Sequence, residues 1–146
     1  MDKPYRAGVI LGRFQPAHIG HIALMEQALS KADKVLVLIG SSQESRTESN
    51  PFSYKERKEI IQRVYKDRLL IAPLADLGIG DVPEWGEYIL KTASEALGEV
   101  DCLFLGKEEK NAHWLSQKRK EELSLVELDR SLIDISASRV RQFLAE

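Results

Sequence analysis

Short apolar runs ended by glycine or proline alternate along this chain with amphipathic stretches, an order that predicts an α/β fold with a parallel five-stranded sheet covered by helices on both faces. The apolar runs are too short for core helices, and the stretches between them repeat at helical spacing. Strand, helix, strand in succession requires crossover connections, and crossovers make neighbouring strands parallel. The chain has 146 residues, enough for one continuous core, and no repeat, low-complexity tract or linker marks a boundary within 1–146.

Taken in order, residues 7–11 read as a buried strand ended by Gly12. From residue 20 to 31, Ile22, Leu24, Met25, Ala28 and Leu29 recur as one helical face. Residues 35–39 form a second strand stopped by Gly40, and a polar loop covers 41–51. Ser53 and Glu56 have the spacing of a capping box, with Ile60, Ile61, Val64 and Tyr65 along the helix they open. Residues 69–72 give a third strand ended by Pro73. Pro83 suits the first turn of a helix that runs to Leu97, with Gly98 as its stop. A fourth strand covers 102–105, a weak helix 112–123, a fifth strand 125–128 and a short terminal helix 136–144.

The totals exclude several classes. Apolar residues make up 43% and charged residues 30%, a globular balance. With 21 Lys and Arg against 23 Asp and Glu, the net charge is -2, which offers no basic surface for nucleic acid or acidic membranes. No apolar stretch approaches a membrane span, and the start carries no signal-peptide core. The lone Cys102 lies in an apolar run and reads as a buried thiol; it cannot form an internal disulfide, as suits a reducing, cytoplasmic setting.

In an open parallel sheet ligands bind beyond the carboxyl ends of the strands, so the loops after the first four strands are the ones to search. The first reads Gly12-Arg13-Phe14-Gln15-Pro16-Ala17-His18-Ile19-Gly20-His21. It leads from a strand into a helix start, where backbone N–H groups and the helix dipole attract phosphate. His18 and His21 sit three residues apart and share one side of the helix start, and Gly20 leaves room for a ligand. Two imidazoles there can donate to phosphate oxygens and stabilise charge in a transition state. The pair has no neighbouring acid or cysteine, so a zinc site is not expected and no metal-ligating residue is assigned.

Gly-Arg-Phe-Gln-Pro-x-His-x-Gly-His resembles the nucleotidyltransferase superfamily, and in its longer form the nicotinamide-nucleotide adenylyltransferases of archaeal type and their bacterial relatives. Ile135-Ser136-Ala137-Ser138-Arg139-Val140-Arg141 resembles that family's second motif. In physical terms it also has the form of a helix start, with Ser136 as cap and Ser138 and Arg141 on one face. The loop ending in Asn50-Pro51-Phe52 resembles a family segment in which an arginine reaches the phosphates, and Arg46 is the candidate here; a solvated loop arginine is the competing reading. Asp81 and Trp85 stand where the family places an acid and a tryptophan at the nicotinamide ring. An indole face attracts a cationic pyridinium, although core packing of Trp85 competes.

The resemblance implies transfer of AMP from ATP to nicotinamide mononucleotide, giving NAD and pyrophosphate. It implies His18, His21 and Arg13 as catalytic residues, with Gly12, Phe14, Gly20, Arg46, Ser136, Ser138 and Arg141 completing the ATP and phosphate site. It also implies Mg²⁺ accompanying ATP, held mainly by oxygens of the substrates and water. A superfamily transferase acting on phosphopantetheine or a phosphorylated polyol is the alternative, and a homo-oligomer is left open. Bifunctional relatives add a hydrolase domain, which is not expected in a chain ending at Glu146. The segment 106–111 matches no family motif, so no adenosine-contacting residue is assigned there.

Overall fold

The computed structural model describes residues 3–106, 112–129 and 131. Its elements run β1 (Tyr5–Gly12), α1 (Ile19–Lys31), β2 (Ala32–Ile39), α2 (Tyr54–Tyr65), β3 (Leu70–Pro73), α3 (Pro83–Leu97), β4 (Cys102–Leu105), α4 (Gln117–Glu122) and β5 (Ser124–Glu127). All five strands lie parallel in one sheet of order β3-β2-β1-β4-β5. The predicted Rossmann-like α/β architecture is therefore present.

Alternate residues of each strand point to opposite faces, and this divides the core in two. On one face Ile10, Val35, Val37 and Phe104 meet Ile22 and Met25 of α1 and Ile61 of α2. On the other, Val9, Leu36, Leu38 and Leu103 meet Ile89 and Ala93 of α3. Cys102 is fully buried in the first cluster, and burial pushes its thiol up to about 12. A long strand with so many fully buried positions reads as an unbroken apolar run, which is why β1 and β2 stand out in the sequence.

The helix signals hold where they rest on caps. Ser53 and Glu56 form a reciprocal capping box at the start of α2, Pro83 opens α3, and Gly98 ends it at φ 80°. Several boundaries move, with β1 widening to Tyr5–Gly12 and β3 sliding one residue on to Leu70–Pro73, so that Pro73 belongs to the strand it was expected to follow. β2 begins at Ala32, directly after α1, because the Ala32 N–H still bonds to Ala28 while the residue already pairs with Tyr5. β5 is set one residue earlier than predicted, at Ser124–Glu127. The helix expected over 112–123 shrinks to α4, since Ala112, Trp114 and Leu115 are buried in a turn against the second core cluster and Ser116 caps the short helix after them. Gly86 makes this turn fit, as any β-carbon there would overlap the Trp114 carbonyl oxygen. The helix predicted over 136–144 lies outside the described residues. No described helix is long and apolar enough to cross a membrane.

The chain steps outward from β1 through β2 to β3, then returns through α3 to β4 on the other side of β1. The loops after β1 and β4 thus diverge, and the crevice they leave is the place where such sheets bind ligands.

Candidate active site

A cleft of about 790 Å³ opens at that crevice, over the carboxyl ends of the strands. Its size suits a nucleotide-scale ligand. The loop after β1 forms its floor. There the histidines do a task usually left to Ser, Thr or Asp: they cap α1. The Gly20 N–H donates to His18 Nδ1 at 3.1 Å, and the His18 N–H donates to His21 Nδ1 at 3.0 Å. Gly20 has no side chain to crowd the capping ring, since a β-carbon would stand 3.0 Å from it. The two rings stack with centroids 3.7 Å apart, and Phe14 packs edge-on against His21 at 4.6 Å.

This geometry fixes the protons. A nitrogen that accepts carries none, so each ring holds its N–H at Nε2, as inferred from the hydrogen bonds. Burial, and secondarily the charge of His18, lowers His21 from 6.5 to about 4. At neutral pH His21 is therefore a neutral donor.

The cleft brings together Gly12, Arg13, Phe14, His18, Gly20 and His21 from the first loop. Asp81 and Trp85 join them from the start of α3, far along the chain. Trp85 is partly buried, with Tyr88 5.5 Å away, so one part of the ring packs and another faces the cleft. Phe14 as a whole is only 1% exposed, its ring packed beneath the loop, and it meets the cleft only at its lining. Arg46 does not line the cleft. Its guanidinium pairs with Glu56 at 3.0 Å and donates to the Pro51 carbonyl at 3.2 Å. Ser136, Ser138 and Arg141 lie outside the described residues.

Residues to which the sequence patterns assign no role hold these loops in register. Gln15 receives the Phe52 N–H at 2.9 Å and donates to the Phe52 carbonyl and to Asn50 Oδ1. The Gln-Pro and Asn-Pro-Phe stretches are thus bound to each other. Gln27, buried on α1, donates to the Glu127 carbonyl and receives the Asp129 N–H, fixing the exit from β5. Arg57 is fully buried on α2, beneath the first and second loops. One signal for Arg57 was available. It shares a helical stripe with Ile61 and Tyr65, four and eight residues on, where a charged side chain has no solvent.

The sequence itself is similar to known nucleotidyltransferases. The nicotinamide-nucleotide adenylyltransferase of Thermococcus kodakarensis is 31% identical over 144 residues, covering 88% of this chain and 73% of that protein. Its counterpart in Saccharolobus solfataricus is 39% identical over 88 residues, 56% of this chain and 50% of the other. The chain spans about half the length of most curated relatives it matches. Among solved structures, a bifunctional NMN adenylyltransferase/ADP ribose pyrophosphatase from Francisella tularensis superposes with a TM-score of 0.72 at 27% identity, covering 86% of this chain and 38% of that one. The same protein has also been crystallised with AMP and a manganese ion. The family model described as cytidylyltransferase-like matches residues 9–143, nearly the whole chain including the paired histidines and the segment after β5, and the chain belongs to that family.

Proposed function

We propose that the chain is a nicotinamide-nucleotide adenylyltransferase. The observation that carries this reading is the stacked pair His18 and His21, whose capping bonds use Nδ1 and leave both Nε2–H groups without a partner among the described residues, beside the cleft. The relatives named for that activity support the choice of substrates.

In the reaction, an oxygen of the 5′-phosphate of nicotinamide mononucleotide forms a bond to the α-phosphorus of ATP. The bond from that phosphorus to the β-phosphate oxygen breaks, and pyrophosphate leaves. The attacking oxygen is already ionised, so the protein must align the two phosphates and stabilise charge rather than take a proton. His18 and His21 donate to the α-phosphoryl oxygens as negative charge builds on them. Arg13, exposed at the cleft edge, offers a cation to the same triphosphate. Ser136, Ser138 and Arg141 hold the leaving pyrophosphate, and Arg46 reaches the phosphates once released from Glu56. Trp85 and Asp81 face the acceptor's pyridinium ring, one by its π face and one by its charge.

Among the described residues no three His, Cys, Asp or Glu side chains converge, a donor set that does not fit a resident metal centre. The Mg²⁺ of this reaction arrives with ATP, on the oxygens of the triphosphate.

The test is to incubate the protein with ATP, Mg²⁺ and a panel of phosphorylated acceptors, then identify products by mass. NAD formed with stoichiometric pyrophosphate is the expected result. Transfer to phosphopantetheine or a polyol phosphate, with none to a pyridine mononucleotide, would overturn the choice of acceptor.

A further inference from the structure

Arg57 engages every donor it has, and every acceptor is a backbone carbonyl. Nε donates to Ser53 at 3.2 Å, Nη1 to Arg13 at 2.9 Å and Gly40 at 2.7 Å, and Nη2 to Ser41 at 3.0 Å and Glu44 at 3.4 Å. No carboxylate is among them. A fully buried guanidinium without a counter-ion is costly, and burial together with the charge of Arg13 lowers its affinity for its proton. Helix packing alone does not call for such a residue, since an apolar side chain would continue the stripe of Ile61 and Tyr65.

The carbonyls that the guanidinium grips explain its presence. Each of the two loops it joins bends through a non-glycine residue in the left-handed region, Phe14 at φ 52° and Ser41 at φ 48°. Arg57 holds the peptide that precedes each of them, through the carbonyls of Arg13 and Gly40. In a planar trans peptide the N–H points opposite to the C=O. With those carbonyls turned down toward Arg57, the Phe14 and Ser41 N–H groups turn away from it. Both residues line the cleft, and neither N–H has a hydrogen-bond partner among the described residues.

We propose that Arg57 is a positioning residue: by holding the Arg13 and Gly40 carbonyls from beneath, it aims the Phe14 and Ser41 amides into the cleft as a two-donor cradle for phosphate oxygens. It also keeps those carbonyl oxygens, which would repel an anion, out of the ligand's reach. This rests on the reading of the cleft as a nucleotide site, and it adds a device on α2 that touches no substrate.

Inorganic tripolyphosphate titrated into the isotope-labelled full chain should move the Phe14 and Ser41 amide protons downfield in saturable fashion. Arg57→Lys keeps the charge but donates from a single nitrogen and cannot span the two loops. It should bind tripolyphosphate and ATP roughly ten- to a hundredfold more weakly, as when charge-assisted hydrogen bonds are loosened. The acceptor's KM should stay within about twofold, a split that general loss of structure would not produce. Wild-type protein that binds ATP while both amides stay still would overturn this inference and leave adenylyl transfer standing. So would an Arg57→Lys chain with wild-type affinity and intact amide shifts. A wild-type chain that binds no ATP would overturn both readings.

Discussion

Replacing His21 by Asn separates its two tasks. The Asn Oδ1 stands close to where Nδ1 was, so it can still receive the His18 N–H and complete the cap. What Asn lacks is the Nε2–H further out on the ring. Turnover should therefore fall about a hundredfold or more, the usual cost of losing one transition-state donor. The stability of the variant should differ from wild type in its dependence on pH. Burial lowers the folded-state pKa of His21 from 6.5 to about 4, so as the pH falls the unfolded chain takes up the proton first. Stability that is whole above 6.5 is lost progressively down to about 4. Between about pH 7.5 and about pH 5, linkage gives a loss of about 2 kcal/mol from this one group. Carboxylates whose pKa is lowered in the fold, Asp129 by Ser131 and Glu56 by Ser53, add their own loss in acid, but they do so in both proteins. The difference between wild type and His21→Asn isolates the histidine. Urea denaturation at the two pH values measures it. If the variant loses as much stability in acid as wild type does, the buried neutral imidazole is not the cause and the capping assignment fails.

Other substitutions probe separate parts of the site. Trp85→Ala should raise the KM for nicotinamide mononucleotide, by the equivalent of about 0.5–2 kcal/mol, and leave that for ATP nearly unchanged; a large fall in melting temperature without that selectivity would make Trp85 a core residue. Gly86→Ala should destabilise the fold by about 1–3 kcal/mol, as overpacking does, because the new methyl meets the rigid Trp114 backbone; an unchanged melting temperature would refute that contact. Arg46 gives a pair of opposite signs. Arg46→Ala should raise the KM for ATP, whereas Glu56→Gln, which keeps the α2 capping box and frees the arginine, should lower it or leave it unchanged. Equal ATP kinetics in both variants would leave Arg46 a surface residue.

Much of the fold was legible in the sequence because it was written in local rules. The buried strands β1 and β2 announce themselves as apolar runs, and α2 and α3 by Ser53 with Glu56 and by Pro83 with Gly98. The histidine loop was legible too, since a strand, a glycine-bearing turn and a helix start are contiguous. Local rules failed where tertiary packing decides. Asp33 and Lys34 disguise the start of β2, which is set by pairing with β1 and not by composition. Ala112, Trp114 and Leu115 mimic a helical face but serve the core from a turn, because Gly86 lets that turn lie against α3. The order of the strands, and with it the crevice beside β1, is a property of crossovers that no window of sequence contains. Arg57 and Gln27 escaped notice for a related reason. Each is a polar residue at a buried helical position, and its purpose shows only when the backbone it grips, from a distant loop or strand exit, is in view.

The histidine cap raises the question of why the helix does not begin with the better-suited Ser or Asp. In those short side chains every polar atom lies close to the cap, and an Asp carboxylate has no N–H or O–H to donate. Imidazole has two nitrogens on opposite edges of a rigid ring. When Nδ1 is held by the helix start, Nε2 must carry the proton and must point away from the backbone. The bonds that begin α1 therefore also select the tautomer and aim the donor, with no added residues. The ring of His18 stacks on that of His21 at 3.7 Å, and burial keeps His21 neutral. A neutral His21 suits the proposed reaction better than a charged one. If the proposed adenylyl transfer holds, a permanent cation would bind the ground-state triphosphate as firmly as the transition state, whereas a neutral N–H would strengthen its bond as charge accumulates on the α-phosphoryl oxygens. On the proposed reading, permanent positive charge comes from Arg13, exposed at the edge of the cleft.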